Sequence, residues 1–239
     1  MTKKVLNQNT KYEQELINSF EPDFSFSDQA INRLNISLNN LSKNNDDKIK
    51  ELSNLKNQIN SIENCNLKKN SKNLILGDGD INSPIMLIGE APGNEEDETG
   101  SANQGEVGKL LKKMLSAINV DIKKVYLTYA LNFRIPEDKK PNTQDIKRYS
   151  KFLREHISII NPKMIILMGS TAMEAVTGIN DKISNERGKW KEVIFNNVSV
   201  PVMITFSPSY LIRYPDNKKY SWEDLKRIRE KIQNLEISI

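Results

Sequence analysis

Apolar positions change their rhythm once along this chain. Leu52, Leu55, Ile59 and Ile62 recur at steps of three and four, which puts them on one stripe of an α-helix. The stripe predicts a helix packed on a larger body. A coiled-coil partner helix is the alternative, although the repeat covers too few heptads to sustain one. From Asn73 onward the apolar residues gather instead into short blocks separated by helical periodicities. Residues 74–77 and 85–88 read as strands around a Gly-Asp-Gly-Asp turn, and 107–118 as a helix with Leu110, Leu111, Met114 and Leu115 on its apolar side. A strand over 125–131 follows. A helix over 143–160 is stopped by Pro162. Residues 164–170 form an apolar strand ending in Gly169-Ser170, with a helix over 171–176 behind it. Strands over 193–195 and 198–206 and a helix over 221–235 complete the order. Alternating strands and helices predict a three-layer α/β/α sandwich with a mainly parallel central sheet. The division expected is an Asn/Lys-rich helical N-terminal extension over 1–66 and an α/β domain over 67–239.

The block at 85–88 breaks into Gly89-Glu90-Ala91-Pro92-Gly93, followed by Asn94-Glu95-Glu96-Asp97-Glu98. In open α/β sheets ligands sit outside the carboxyl ends of the strands, so this turn is the first candidate for a site. Its carboxylates have two readings. Glu90 is either a reacting carboxylate or a turn-stabilising one, and Glu96 is either functional or, with Glu95, Asp97 and Glu98, part of a solvated first helical turn favoured by the helix dipole.

Composition narrows the chemistry. At 37% hydrophobic residues in 239, the chain can bury a sizeable core. No apolar run reaches bilayer length and Met1 to Asn7 lack a signal-type apolar segment, which points to the cytoplasm and away from a membrane. One cysteine, Cys65, excludes an internal disulfide and a cysteine cage. His156 is the only histidine and lies within an apolar helix, a structural position that supports neither a His-based metal site nor a Ser-His-Asp triad. Gly105 to Lys109 lack P-loop spacing. A net charge of +4 from 35 basic and 31 acidic residues is compatible with nucleic acid without demanding it.

Gly89-Glu90-Ala91-Pro92-Gly93 with Glu96-Asp97, Gly100, Gly105, Gly108 and Leu110-Leu111 resembles the first motif of the type-4 uracil-DNA glycosylases. Ser207-Pro208-Ser209-Tyr210-Leu211-Ile212-Arg213 resembles their second, usually His-Pro-Ser-x-Leu-Leu-Arg, and Asn161-Pro162-Lys163 and Gly169-Ser170-Thr171-Ala172 also fit. The resemblance implies a DNA-repair enzyme that hydrolyses the glycosidic bond of uracil in single- or double-stranded DNA, working as a monomer near the nucleoid. A DNA-binding member without excision, or one taking another deaminated base, is the alternative.

The resemblance also assigns roles. Glu90 and then Glu96 are candidates for the carboxylate that stabilises the sugar cation, and Ser207 replaces the histidine that donates to the leaving base. Gly89, Ala91, Pro92 and Gly93 would line the base pocket. Asn103 stands where the family stacks an aromatic ring on uracil, and Tyr129 where it places an asparagine. Pro208, Ser209, Leu211 and Arg213 would grip DNA, with Leu211 and Ile212 as an apolar wedge and Arg213 on a phosphate. The family's four cluster cysteines fall on Ile62, Cys65, Phe133 and Tyr149, so no iron–sulfur cluster and no other cofactor is expected.

Overall fold

The computed structural model describes residues 45–63, 65–136 and 140–238. The expected helical extension lies outside them up to residue 44. Its remainder forms α1 (Asn45–Asn60) and, with Leu67, a one-turn α2 (Asn66–Lys69), within one compact unit, Asn44–Ile239. Leu52, Leu55 and Ile59 are buried on the predicted stripe, and Ile62 packs against the same core.

Six strands follow the predicted order: β1 (Gly77–Gly79), β2 (Ile85–Gly89), β3 (Tyr126–Tyr129), β4 (Met164–Met168), β5 (Trp190–Phe195) and β6 (Val198–Thr205). They pair in the order β1-β3-β2-β4-β6-β5, with the four central strands parallel and both edge strands antiparallel. The first strand differs from expectation. Leu74 to Leu76 precede it, with Ile75 N–H donating to Asn132 O (2.9 Å), while Gly77-Asp78-Gly79 forms the ladder, Gly77 opposite Thr128. A Cβ on Gly77 would lie 2.6 Å from Leu127 O, so only glycine permits this approach.

Successive side chains of a strand point to opposite faces, and the central strands are apolar on both. Met86, Ile88, Ile165, Leu167, Val202 and Ile204 pack with α1, α5 (Thr143–Ile160) and α6 (Ser170–Thr177). Ile85, Leu87, Leu127, Ile166 and Met203 pack with α4 (Gly105–Ser116) and α9 (Lys218–Asn234), and this makes the three layers. Between them stand two short helices, α3 (Asn94–Thr99) and α8 (Pro208–Arg213), and a single turn, α7 (Ile183–Glu186).

His156 on α5 is buried against the sheet, as its place in an apolar helix predicts. Thr128 Oγ1 donates to Leu76 O (2.6 Å), so at 3.3 Å it accepts from His156 Nδ1–H, and Tyr126 Oη donates to Nε2 (2.9 Å). Burial pushes the imidazole pKa down to about 3, so the ring stays neutral in the fold. The unfolded chain protonates it below about pH 6.5. Its contribution is therefore complete above that pH and is lost as pH falls toward about 3. Urea unfolding at pH 6 and pH 4 should differ by about 2 kcal/mol more in the parent than in His156→Gln.

Candidate active site

The helices reached after neighbouring β2 and β4 pack on opposite faces of the sheet, α4 on one and α6 on the other. Where the winding reverses, the strand ends leave a crevice. Here it is a cavity of about 670 Å³, lined by residues that follow β2, β3, β4 and β6. Gly89, Ala91, Pro92 and Gly93 all line it.

Glu90 spans this switch point. Its Oε1 accepts from the Thr171 backbone N–H (3.0 Å) and from Ser170 Oγ (3.3 Å), at the start of α6, where helix polarity favours an anion. Gly169, at φ 108°, makes the turn possible, and a Cβ there would overlap the Glu90 carboxyl group. Oε2 makes no hydrogen bond among the described residues. One oxygen fixes the side chain; the other faces no protein donor.

The acidic run beyond it divides by burial. Glu95 and Glu98 are exposed, but Glu96 and Asp97 are buried, so these two are not a solvated turn. Asp97 Oδ1 accepts from the Lys72 and Asn73 N–H groups (2.9 and 3.0 Å) and ties the preceding loop to α3. Glu96 Oε2 accepts from Gly93 N–H (2.9 Å), and its Oε1 accepts from Tyr129 Oη (3.3 Å). Both oxygens of Glu96 are thus committed to protein, which suits it to holding the pocket wall. Tyr129 Oη also accepts from Asn103 N–H (3.3 Å). Burial, then the neighbouring Glu96 charge, pushes the Tyr129 phenol up, and it stays a neutral donor. The three residues form one chain along the cavity wall. Asn103 takes φ 60°, and its Oδ1 is buried with no partner among the described residues.

The second motif forms a helix. Ser207 is its N-cap, accepting from Tyr210 N–H (3.3 Å), and Pro208 occupies the first turn. Ser207 Oγ also shares a hydrogen bond with Ser209 Oγ (3.1 Å) at the cavity. Leu211 corrects an expectation. It is 1% exposed and packs inward, so it cannot enter a base stack, whereas Ile212, one residue on, is 41% exposed. Arg213 is exposed beside it and pairs with no carboxylate among the described residues.

Sequence reasoning missed two features of this wall. Phe206 lines the cavity and stacks on Tyr210, and a buried Asp224 on α9 holds Arg187 over the Phe206 ring, 5.7 Å from its centre. The residues involved lie up to 37 positions apart, with no shared motif to join them.

At the positions where the resemblance implies cluster ligands, Cys65 Sγ lies 3.3 Å from Tyr149 Oη, and Phe133 meets the Tyr149 ring edge to face at 6.4 Å. All three are buried, and Ile62 packs against the same core. Burial, then the bond to Cys65, pushes the Tyr149 phenol up. One thiol among an isoleucine and two aromatic rings does not fit a cluster that needs four thiolates. Among the described residues, no group of three or more His, Cys, Asp and Glu could hold a metal ion.

Known proteins are similar to this chain over most of its length. The profile of the Uracil DNA glycosylase superfamily matches residues 76–228. A type-4 uracil-DNA glycosylase of Thermotoga maritima is 31% identical over 172 residues, 71% of this chain and 88% of the relative. Another, of Pyrobaculum aerophilum, is 30% identical over 169 residues, covering 69% and 86%. A third, of Sulfurisphaera tokodaii, is 32% identical over 187 residues, covering 75% and 84%. With the motifs placed around one crevice and the match spanning most of the fold, the chain belongs to the uracil-DNA glycosylase superfamily, on its type-4 branch.

Proposed function

We propose that this protein hydrolyses the bond between C1′ and N1 of deoxyuridine in DNA, releasing uracil and leaving an abasic site. The observation that carries the proposal is Glu90, fixed through Oε1 in the wall of the cavity, with Oε2 making no hydrogen bond among the described residues. As the bond breaks, the sugar becomes cationic and the base anionic. A preorganised carboxylate stabilises the first charge and orients the water whose oxygen bonds to C1′. The proton lost by that water balances the charge on the departing base. Ser207 and Ser209 both line the cavity and share one hydrogen bond, and the hydroxyl that accepts in it keeps its own proton to donate to that base. Asn103 Oδ1 supplies an acceptor for a base N–H, and Glu96 acts through Tyr129 as a positioning residue.

The target nucleotide must leave the stack to reach this depth. Ile212 is the apolar wedge and Arg213 the phosphate contact, with Pro208 and Ser209 at the head of the same helix. The substrate would be uracil-containing DNA, single- or double-stranded, met by a monomer in the cytoplasm at the nucleoid. No helix among the described residues is long and apolar enough to cross a membrane. The test is alkaline cleavage of uracil-containing oligonucleotides after incubation with the purified protein. Cleavage is the expected result, and tight binding with intact glycosidic bonds would overturn the proposal.

The reaction is further proposed to run without a cluster, because Ile62, Cys65, Phe133 and Tyr149 occupy the ligand positions. Protein purified under anaerobic conditions should contain iron and acid-labile sulfide far below one per chain, and excise equally well after chelation. Four irons per chain would refute it.

A further inference from the structure

Three aromatic rings lead outward from the cavity. Phe206 is buried at the end of β6, and Tyr210 stacks on it with ring centres 4.8 Å apart and 23° between planes. Tyr214, one helical turn on, continues the series at 4.8 Å and 40° and is 55% exposed. Phe206 and Tyr210 line the cavity, so the series is continuous with it. The ladder is braced: Asn217 Nδ2 donates to Tyr210 Oη (3.1 Å), and the Arg187 guanidinium lies 5.7 Å from the Phe206 ring centre and 5.4 Å from that of Tyr220. Tyr220 and Trp222 are also exposed. Between Ile212 and Trp222 the chain carries Arg213, Lys218 and Lys219 against a single carboxylate, Asp216.

Cations already cover the Tyr220 ring, Arg187 at 5.4 Å and Lys219 at 5.1 Å, which leaves Tyr214 as the exposed end of the ladder. An exposed ring beside more cations than carboxylates matches a strand whose bases are unpaired, since ring faces attract bases and cations attract the backbone. A duplex offers its phosphates to the same cations, but its bases are already stacked on one another. We propose that Tyr214, as the outer rung, stacks a base of the unpaired strand flanking the cavity, so that this surface selects single-stranded DNA. That the strand leads to the cavity rests on the function proposed above; the stacking contact does not.

The full chain should be titrated, by fluorescence anisotropy, into uracil-free oligodeoxythymidylate and into a uracil-free duplex of equal length. Tyr214→Ala is expected to weaken single-strand binding about 10-fold and duplex binding less than 2-fold, whereas Tyr214→Phe, which keeps the ring, binds as the parent does. Unchanged single-strand affinity in Tyr214→Ala, an equal loss on both DNAs, or a parent that does not bind the single strand would each overturn the proposal. No uracil is present, so the result stands apart from whether the protein excises it.

Discussion

Glu90→Gln is expected to lower uracil excision by at least about 100-fold while DNA affinity stays within about 2-fold. The size follows from removing one preorganised charge from a transition state that develops a full positive charge, typically about 3 kcal/mol. The variant isolates charge from structure. A glutamine carbonyl still accepts from Thr171 N–H and Ser170 Oγ, the two bonds that fix the side chain. Single-turnover measurement on a uracil oligonucleotide, with uracil-free DNA for affinity, separates the two effects. Activity within a few-fold of the parent would remove Glu90 from the reaction and leave it as a brace between β2 and α6.

Asp224→Ala is expected to cost about 3–5 kcal/mol of folding stability, a large share of the about 5–15 kcal/mol typical of a domain. Asp224 is 0% exposed. Its Oδ2 accepts from Thr205 Oγ1 (2.8 Å) and Arg187 Nε (3.0 Å), and Arg187 Nη2 reaches Oδ1. Burial alone pushes the carboxyl pKa up, and the two donors oppose it. Alanine leaves the Arg187 guanidinium in a mostly buried position without its counter-charge, and this sets the magnitude. The urea midpoint should fall with little change in the slope. Asp224→Asn, which keeps an acceptor for Thr205, should cost less. Loss of under 1 kcal/mol in the alanine variant would show that Arg187 reaches solvent once released.

Both sites illustrate which parts of the molecule are legible in sequence. Helix α5 spans Thr143–Ile160, as predicted, because its ends are local: Asn142 accepts from Asp145 N–H (2.7 Å) as N-cap, and Pro162 follows the end. The central strands were equally legible, being apolar on both faces. The edge was not. Gly77 to Gly79 carry no strand propensity, and they pair with β3 at a distance that a Cβ at Gly77 or Gly79 would not allow. Glu90 stood out as the lone carboxylate between two glycines at a strand end. The sequence leaves Glu96 open between a reacting carboxylate and, with Asp97, a charged helix start; their burial involves Tyr129 and the loop at Lys72 and Asn73, which no local pattern reveals. Leu211 and Ile212 differ by one residue, so a motif could name the wedge only to within a position, whereas helical geometry turns one inward and the other out. Arg187 and Asp224 carry no sequence signal because an ion pair 37 residues apart has no periodicity.

The packing of Cys65, Phe133 and Tyr149 has a physiological corollary. If, as proposed, the chain's own side chains fill this corner in place of a cluster, the fold would wait on no assembly machinery and draw on no iron supply, and it would present to peroxide a thiol at 3% exposure, Cys65, rather than a labile inorganic centre. Such a protein would be suited to act when iron is scarce or oxidants are abundant.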